Sequence, residues 1–277
     1  MKPKPECYDC MRRQAVRSLG LISRDRNLLE KVKSETEKII AGSDINGNPP
    51  LIASDIFLYV NKITGNSDPY LELKKKYNRI VKDVLRNMAI KDIFSAFKYA
   101  INGNIIDFGM QDKVAFNADE NVSLTIDDSV SLVERICQAD SILYLCDNAG
   151  EIGFDASVIS KIKELNPRAK LTASVKAGPV INDALLEDAL YFGMDKMCDI
   201  IAPAPLYVGT QIDRLDAGFG KLFNDSDVII SKGQANWESL EGIRHKGLFF
   251  LLRAKCKVVA LSLDVPLGSA VLTKGKE

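Results

Sequence analysis

Chemistry in this chain begins where the apolar run Leu143-Tyr144-Leu145-Cys146 stops at adjacent Asp147 and Asn148. A small-residue turn, Ala149-Gly150, then carries Glu151. A buried strand ending this way delivers oxygen donors to the rim of a sheet. Carboxylate and amide oxygens suit a hard divalent cation rather than a soft one. Further polar groups follow other apolar runs: Lys176 ahead of Asn182-Asp183, then Lys232-Gly233-Gln234-Ala235-Asn236 with Glu238, then Arg253 and Lys255. Each has an ordinary alternative. Asp-Asn after a strand is common turn chemistry, Asn182 or Asp183 can cap a helix, and Lys-Gly is a frequent turn. Together they offer oxygen donors for a cation, with Lys176, Lys232 and Lys255 for an anion beside it. That pairing is the usual environment of a phosphate ester.

Composition removes several other chemistries. The one histidine, His245, lies between Arg244 and Lys246, where a solvated loop is expected. Ser-His-Asp catalysis elsewhere and polyhistidine metal sites are therefore excluded. Acid–base work falls to carboxylates, lysines or water on a metal ion. Six cysteines spread over 277 residues make no disulfide framework. Cys7 and Cys10 form a lone CxxC, open to a metal or redox role or simply part of a helix start; Cys137, Cys146, Cys198 and Cys256 read as small hydrophobes. Basic and acidic residues both number 37, so no net field favours nucleic acid or an anionic membrane. No apolar run approaches a membrane span, and the N-terminus lacks the apolar core of a signal peptide. A cytoplasmic location is the expectation.

The elements that would position these groups fall into two rhythms. From about residue 8 to 100 the chain reads as helical, with three- and four-residue apolar spacing over Asp25 to Ala41 and Tyr70 to Met88. Residues 46–50 read as a loop, with Ser54 as a candidate cap for the following helix. Residues 64–69 are a second break, with Pro69 suited to a first helical turn. A Gly/Asn stop at Tyr99 to Asn104 ends this portion. Beyond it, strands are expected at Ser141 to Cys146, Lys170 to Val175, Asp199 to Ala202, Val228 to Ser231 and Leu248 to Leu252. Helices are expected at Asp155 to Leu165, Asn182 to Phe192 and Thr210 to Phe223. That alternation predicts an α/β fold, a three-layer α/β/α sandwich, over 101–277, with a helical N-terminal portion over 1–100. In such a sheet the strand-end residues gather in one crevice.

With these residues in place, the chain resembles the damage-control phosphatase family, formerly the domain-of-unknown-function family 89. The likeness rests on Asp147-Asn148-Ala149-Gly150-Glu151, Lys176 with Pro179 and Asn182-Asp183, and Lys232-Gly233-Gln234-Ala235-Asn236-Trp237-Glu238. Leu252-Arg253-Ala254-Lys255-Cys256 and Gly103-Asn104-Ile105-Ile106-Asp107-Phe108-Gly109 also fit. Cys7-Tyr8-Asp9-Cys10 with Arg13-Gln14 resembles the opening of the small stand-alone microbial branch. The resemblance implies an α/β/α sandwich and a phosphatase dependent on manganese, nickel, cobalt or magnesium, acting on small phosphorylated metabolites. It implies metal ligands at Asp147, Asn148 and Asp183. The Arg-Thr-x-Lys signature of the sugar-phosphate branch is replaced by Arg253-Ala254-Lys255 preceded by Leu252, so a sugar-phosphate preference does not carry over.

The expected chemistry has a cation polarising a phosphate oxygen while Lys232 and Lys255 neutralise the others. Water activated by the metal, with Glu151 or Asp155 relaying a proton, is favoured over an aspartyl-phosphate because Asp147 and Asp183 are committed to the cation. Asn104, Asp107, Lys176 and Asn236 are further substrate contacts, with turn or capping roles as alternatives for Asn104, Asp107 and Asn236. Two competing functions remain: an S-adenosylmethionine-dependent carboxyl methyltransferase, and a protein that binds a phosphorylated ligand without hydrolysing it. Neither oligomeric state nor the natural substrate can be read from the residues.

Overall fold

The computed structural model describes residues 1–103, 122–203 and 206–276. Three helices open it: α1 (Pro5–Gly20), α2 (Arg26–Gly42) and α3 (Pro49–Thr64). Asp25 caps α2 by accepting from the Asn27 amide at 2.7 Å, and Asn48 caps α3 by accepting from Leu51 at 3.0 Å. Pro49 and Pro50 occupy the first turn of α3, where a missing amide proton costs nothing. Ser54 therefore does not cap a helix. It lies inside α3, donating to the Pro50 carbonyl at 2.7 Å and accepting from Val208 N at 2.8 Å. Apolar side chains of α1 to α3 form their own cluster, which also takes in Val180, Val208 and Val258 from loops and a helix of the second half.

The next helices, α4 (Leu71–Arg86) and α5 (Ile93–Gly103), pack on the sheet instead. Among the described residues that sheet has seven strands: β1 (Leu124–Asp127), β2 (Ser141–Leu145), β3 (Lys170–Ser174), β4 (Asp199–Ile201), β5 (Val228–Lys232), β6 (Leu248–Arg253) and β7 (Ala270–Lys274). Their order is β1-β7-β6-β5-β2-β3-β4. Every pairing is parallel except β6 with β7. Helices α6 (Ser129–Gln138), α7 (Ile152–Leu165) and α8 (Leu186–Tyr191) join α4 and α5 on one face. The other face carries α9 (Ala217–Asp225), α10 (Gln234–Leu240) and α11 (Lys257–Leu263). The fold is the expected α/β/α sandwich.

Burial on both faces explains why the central strands are apolar throughout. In β2, Ile142 and Tyr144 enter one cluster while Leu143 and Leu145 enter the other. In β6, Phe249 and Leu251 face one way and Leu248, Phe250 and Leu252 the other. Each such fully buried side chain contributes roughly 1.5–3 kcal/mol. Strands leave β2 toward β3 and β4, and leave β5 toward β6, so the order reverses between β2 and β5. The crevice of a doubly wound sheet opens at that reversal.

Several expected elements are shorter than the sequence suggests. The helix expected from Asn182 is α8, which starts at Leu186, because residues 182–184 are drawn into extended pairing with 147–149. The helix expected over Thr210 to Phe223 is a short 3-10 turn at Ile212–Arg214 followed by α9, which Asp216 caps through Phe219 N at 2.9 Å. His245 is half-buried rather than solvated, with its Nδ1 accepting from Gly247 N at 3.1 Å and its ring edge-on to Phe223. Cys7 and Cys10 both lie inside α1, as free thiols.

Candidate active site

The segment after β2 and the segment before α8 come together at an isolated bridge beside the reversal of strand order. Asn148 and Asp183 form an antiparallel bridge. Ala149 N donates to the Asn182 carbonyl at 2.9 Å, and Ala184 N donates to the Asp147 carbonyl at 2.8 Å. Neither Asn182 nor Asp183 caps α8, whose N-cap residue is Leu185, with its amide donating to Asp188 Oδ2 at 2.8 Å. Capping is therefore not the task of this Asn-Asp pair. Asp147, Asn148 and Asp183 are all buried.

The turn after Asn148 is fixed from α4. Asn78 Oδ1 accepts from Gly150 N at 2.7 Å while its Nδ2 donates to Asp188 Oδ1 at 2.5 Å. Gly150 has φ +76°, and a Cβ there would stand 3.0 Å from Tyr77 Cβ. The sequence reading missed Asn78. Its only signal was a polar side chain in the apolar stripe of a helix that also buries Tyr77 and Val81.

Asn148 is the hub of the site. Its Nδ2 donates to Asp147 Oδ2 at 2.7 Å and to Glu151 Oε2 at 3.1 Å. Its Oδ1 accepts from Asn182 Nδ2 at 2.6 Å. Glu151 Oε1 and Asp155 Oδ1 each receive Lys232 Nζ at 2.6 Å, and Lys232 also donates to the Ala100 carbonyl at 3.1 Å. Tyr144 donates its hydroxyl to the same Asp155 oxygen at 2.8 Å. This triad is sealed, with Lys232 and Asp155 fully buried and Glu151 1% exposed.

Lys232 consequently does not face an anion in the crevice; its three protons are taken by Ala100, Glu151 and Asp155. Along β5 it shares parity with Val228 and Ile230, both in the cluster under α5 and α7, so its side chain goes beneath those helices. Burial alone would depress the Lys232 ammonium, but Asp155 and Glu151 outweigh it and raise the group above its ordinary range. The Asp155 carboxyl is pushed up to about 6, burial exceeding the stabilising pull of Lys232. Glu151 and Asp155 are thus partners of a buried lysine rather than groups reaching water as proton relays.

Asp183 lies 3.5 Å from Lys176 Nζ, which also donates to the Gly209 carbonyl. Burial pushes the Asp183 carboxyl up to about 6 despite Lys176 and Lys74, a buried lysine of α4 ion-paired with Asp68 at 2.7 Å. Lys176 borders a small pocket with Ser174, Tyr207 and Thr210. Asn236 is buried and committed, accepting from Thr210 Oγ1 at 2.8 Å and donating to the Lys232 carbonyl at 2.7 Å. It pins the turn at Gly233 rather than presenting free donors. Lys255 is exposed, its backbone amide held by Gln234 Oε1 at 2.9 Å. Arg253 ties β6 to the Gly268 carbonyl at 2.7 Å and to Asn102 Oδ1 at 2.9 Å. Asn104 and Asp107 lie outside the described residues. Trp237 is core, edge-on to Phe250 at 4.8 Å.

Among the described residues no group of three or more His, Cys, Asp or Glu side chains is gathered in a way that could hold a metal ion. The set Asp147, Asn148 and Asp183 is different, since one of its three members is an amide. It offers only oxygen donors, and burial of Asp183 is incompletely offset by the neighbouring lysines. A hard divalent cation fits both features.

Residues 4–271 match the damage-control phosphatase ARMT1-like domain. A damage-control phosphatase of Pyrococcus horikoshii is 37% identical, with 100% of this chain and 99% of that one aligned. A damage-control phosphatase of Archaeoglobus fulgidus is 32% identical over 98% of each chain. The crystal structure of a DUF89 family protein from Pyrococcus horikoshii superposes with a TM-score of 0.93 at 36% identity, covering 100% of both chains. No described helix is long and apolar enough to cross a membrane. The relatives' names support a phosphatase role. The chain belongs to the damage-control phosphatase ARMT1-like family.

Proposed function

We propose that the protein is a divalent-metal-dependent phosphatase that hydrolyses phosphate esters of small, damaged or surplus metabolites, in the cytoplasm. The observation that carries this is the pairing of residues 147–149 with 182–184 at the β2/β5 reversal. It supports this reading by setting buried Asp147 and Asn148 on a segment bridged to the one that carries buried Asp183, with Lys176 against Asp183.

Asp147, Asn148 and Asp183 would hold the cation. Manganese, nickel, cobalt or magnesium bound there supplies a Lewis acid that draws charge from a phosphate oxygen and makes water a stronger nucleophile. The chain's own residues do the rest. Lys176 Nζ, half-buried beside Asp183, attracts and orients the phosphate dianion. Lys255, exposed and with its amide held by Gln234, would supply a second positive charge for the phosphate. Asn78 holds the turn at Gly150, and Asn236 holds the turn at Gly233. Water attack is favoured over an aspartyl-phosphate because both crevice carboxylates are donors to the cation.

Turnover of an aryl phosphate with a panel of divalent ions, before and after chelation, tests this. Metal-dependent phosphate release that chelation abolishes is expected. Hydrolysis indifferent to chelation, or none with any ion, would refute it. Methyl transfer needs no divalent ion, and a mere binding protein gives no turnover, so the same assay separates both alternatives.

A further inference from the structure

We infer that Lys232 is a positioning residue that acts through Glu151 to fix which end of the Asn148 amide faces the crevice. It rests on the assignment of Asn148 as a cation donor made above. Lysine only donates hydrogen bonds, and a carboxylate only accepts them. Lys232 Nζ takes Glu151 Oε1 at 2.6 Å and so turns the other carboxylate oxygen, Oε2, to Asn148. An acceptor facing Asn148 selects its NH2 end, and Asp147 Oδ2, at 2.7 Å, selects the same end. The carbonyl oxygen is left on the opposite side, where it accepts from Asn182 Nδ2 at 2.6 Å, one residue from Asp183. Of the two orientations an asparagine amide can take, only this one presents oxygen toward the Asn182-Asp183 strand.

The surroundings are built to hold that choice. Asp155 and the Ala100 carbonyl take the remaining Lys232 protons, so the ammonium cannot swing away from Glu151. Tyr144, fully buried, fixes Asp155 in turn. The chain of bonds runs from a strand-end lysine, through a helix-entry glutamate, to the cation donor. None of Lys232, Glu151 or Asp155 need touch substrate.

Glu151→Gln provides the test, because it keeps shape and leaves Lys232 balanced by Asp155. Lys232 can bond only the oxygen of the new amide, so its NH2 end is forced against the NH2 end of Asn148. Asn148 then meets a donor where it had an acceptor, and Asp147 Oδ2 alone is left to hold its NH2 end. The readout is the dissociation constant of Mn2+ alone, by titration calorimetry, with circular dichroism to confirm the fold. Glu151→Gln is expected to weaken Mn2+ at least about tenfold. Adding Lys232→Met frees the new amide to rotate and is expected to restore affinity at least about threefold over the single variant. A merely structural role predicts that the double variant is worse than the single. An Mn2+ affinity within twofold of wild type in Glu151→Gln overturns the inference, as does a double variant with no recovery. Wild-type protein that binds no Mn2+ overturns the cation assignment, and this inference with it.

Discussion

Gly233 stands directly against the Asp147 carboxylate: a Cβ built on it would lie 1.9 Å from Oδ2 and 2.2 Å from Cγ. Its φ of +84° is a region that side chains rarely adopt. The end of β5 is thereby moulded around the end of β2 at the reversal of strand order. Gly233→Ala is expected to displace the Asp147 carboxylate, with backbone strain of roughly 1–3 kcal/mol. Melting temperature and phosphate release measured together check this. Activity should fall further than lost folded protein explains, and an active variant would place Asp147 outside the chemistry.

Asn78 is the bond between α4 and the turn that carries Glu151. Asn78→Ala leaves Gly150 N and Asp188 Oδ1 without that partner in a buried setting. A cost of about 1–3 kcal/mol for each uncompensated group is expected. Chemical denaturation measures it. Asn78→Asp keeps the acceptor for Gly150 but loses the donor to Asp188 and places two carboxylates together, so it should be no more stable than the alanine variant.

Glu238 gives a stability slope with pH. Burial pushes its carboxyl up to about 7 from an ordinary 4.5, against the opposing pull of Gln234 and the N-terminal ammonium. A carboxyl with a higher pKa in the folded state binds its proton more tightly there. Its contribution is fully present below about 4.5 and is lost as pH rises to about 7, by at most roughly 3 kcal/mol. Glu238→Gln removes that slope. Thermal melts of both proteins at pH 5 and pH 8 should show the variant gaining relative stability at pH 8, and parallel curves would mean Glu238 ionises normally.

Lys176 and Lys255 are separable. Lys176→Met is expected to raise KM for an aryl phosphate about tenfold, the worth of one charge-assisted hydrogen bond. Lys255 is exposed, so Lys255→Ala should change stability by less than about 0.5 kcal/mol while raising KM. Steady-state kinetics at saturating metal decide it, and an unchanged KM in both variants removes the lysines from substrate binding.

Much of the fold was legible because its signals are local. The apolar runs at Ser141, Lys170, Val228 and Leu248 are strands of one sheet. Helices do break near 46–50 and 64–69, although Pro49 and Pro50 belong to α3 and Pro69 precedes α4, which starts at Leu71. Weaker elements escaped: β1 is four residues long, β7 is antiparallel, and α10 and α11 are seven residues each, too short for a periodic pattern. At the site, Asp147 and Asn148 were readable as strand-end oxygens, whereas Asp183, nine residues past β3, read as a cap and joined them only through the family resemblance. The destination of Lys232 was not read, although the alternation Val228, Ile230, Lys232 already put it beneath the helices. A second signal went unused. Asp155 shares a helical stripe with Ile159 and Ile162, and an acid on an apolar face calls for a buried cation. Extended pairing of 182–184 with 147–149 is long-range, and no local pattern announces it.

The most direct test is phosphate release by Asp147→Ala and Asp183→Ala, both shown to be folded, with an aryl phosphate and saturating manganese. Each variant should lose about a hundredfold or more in turnover and fail to recover with any other divalent ion. Full activity in either variant would contradict a cation held by the paired strands at Asn148 and Asp183.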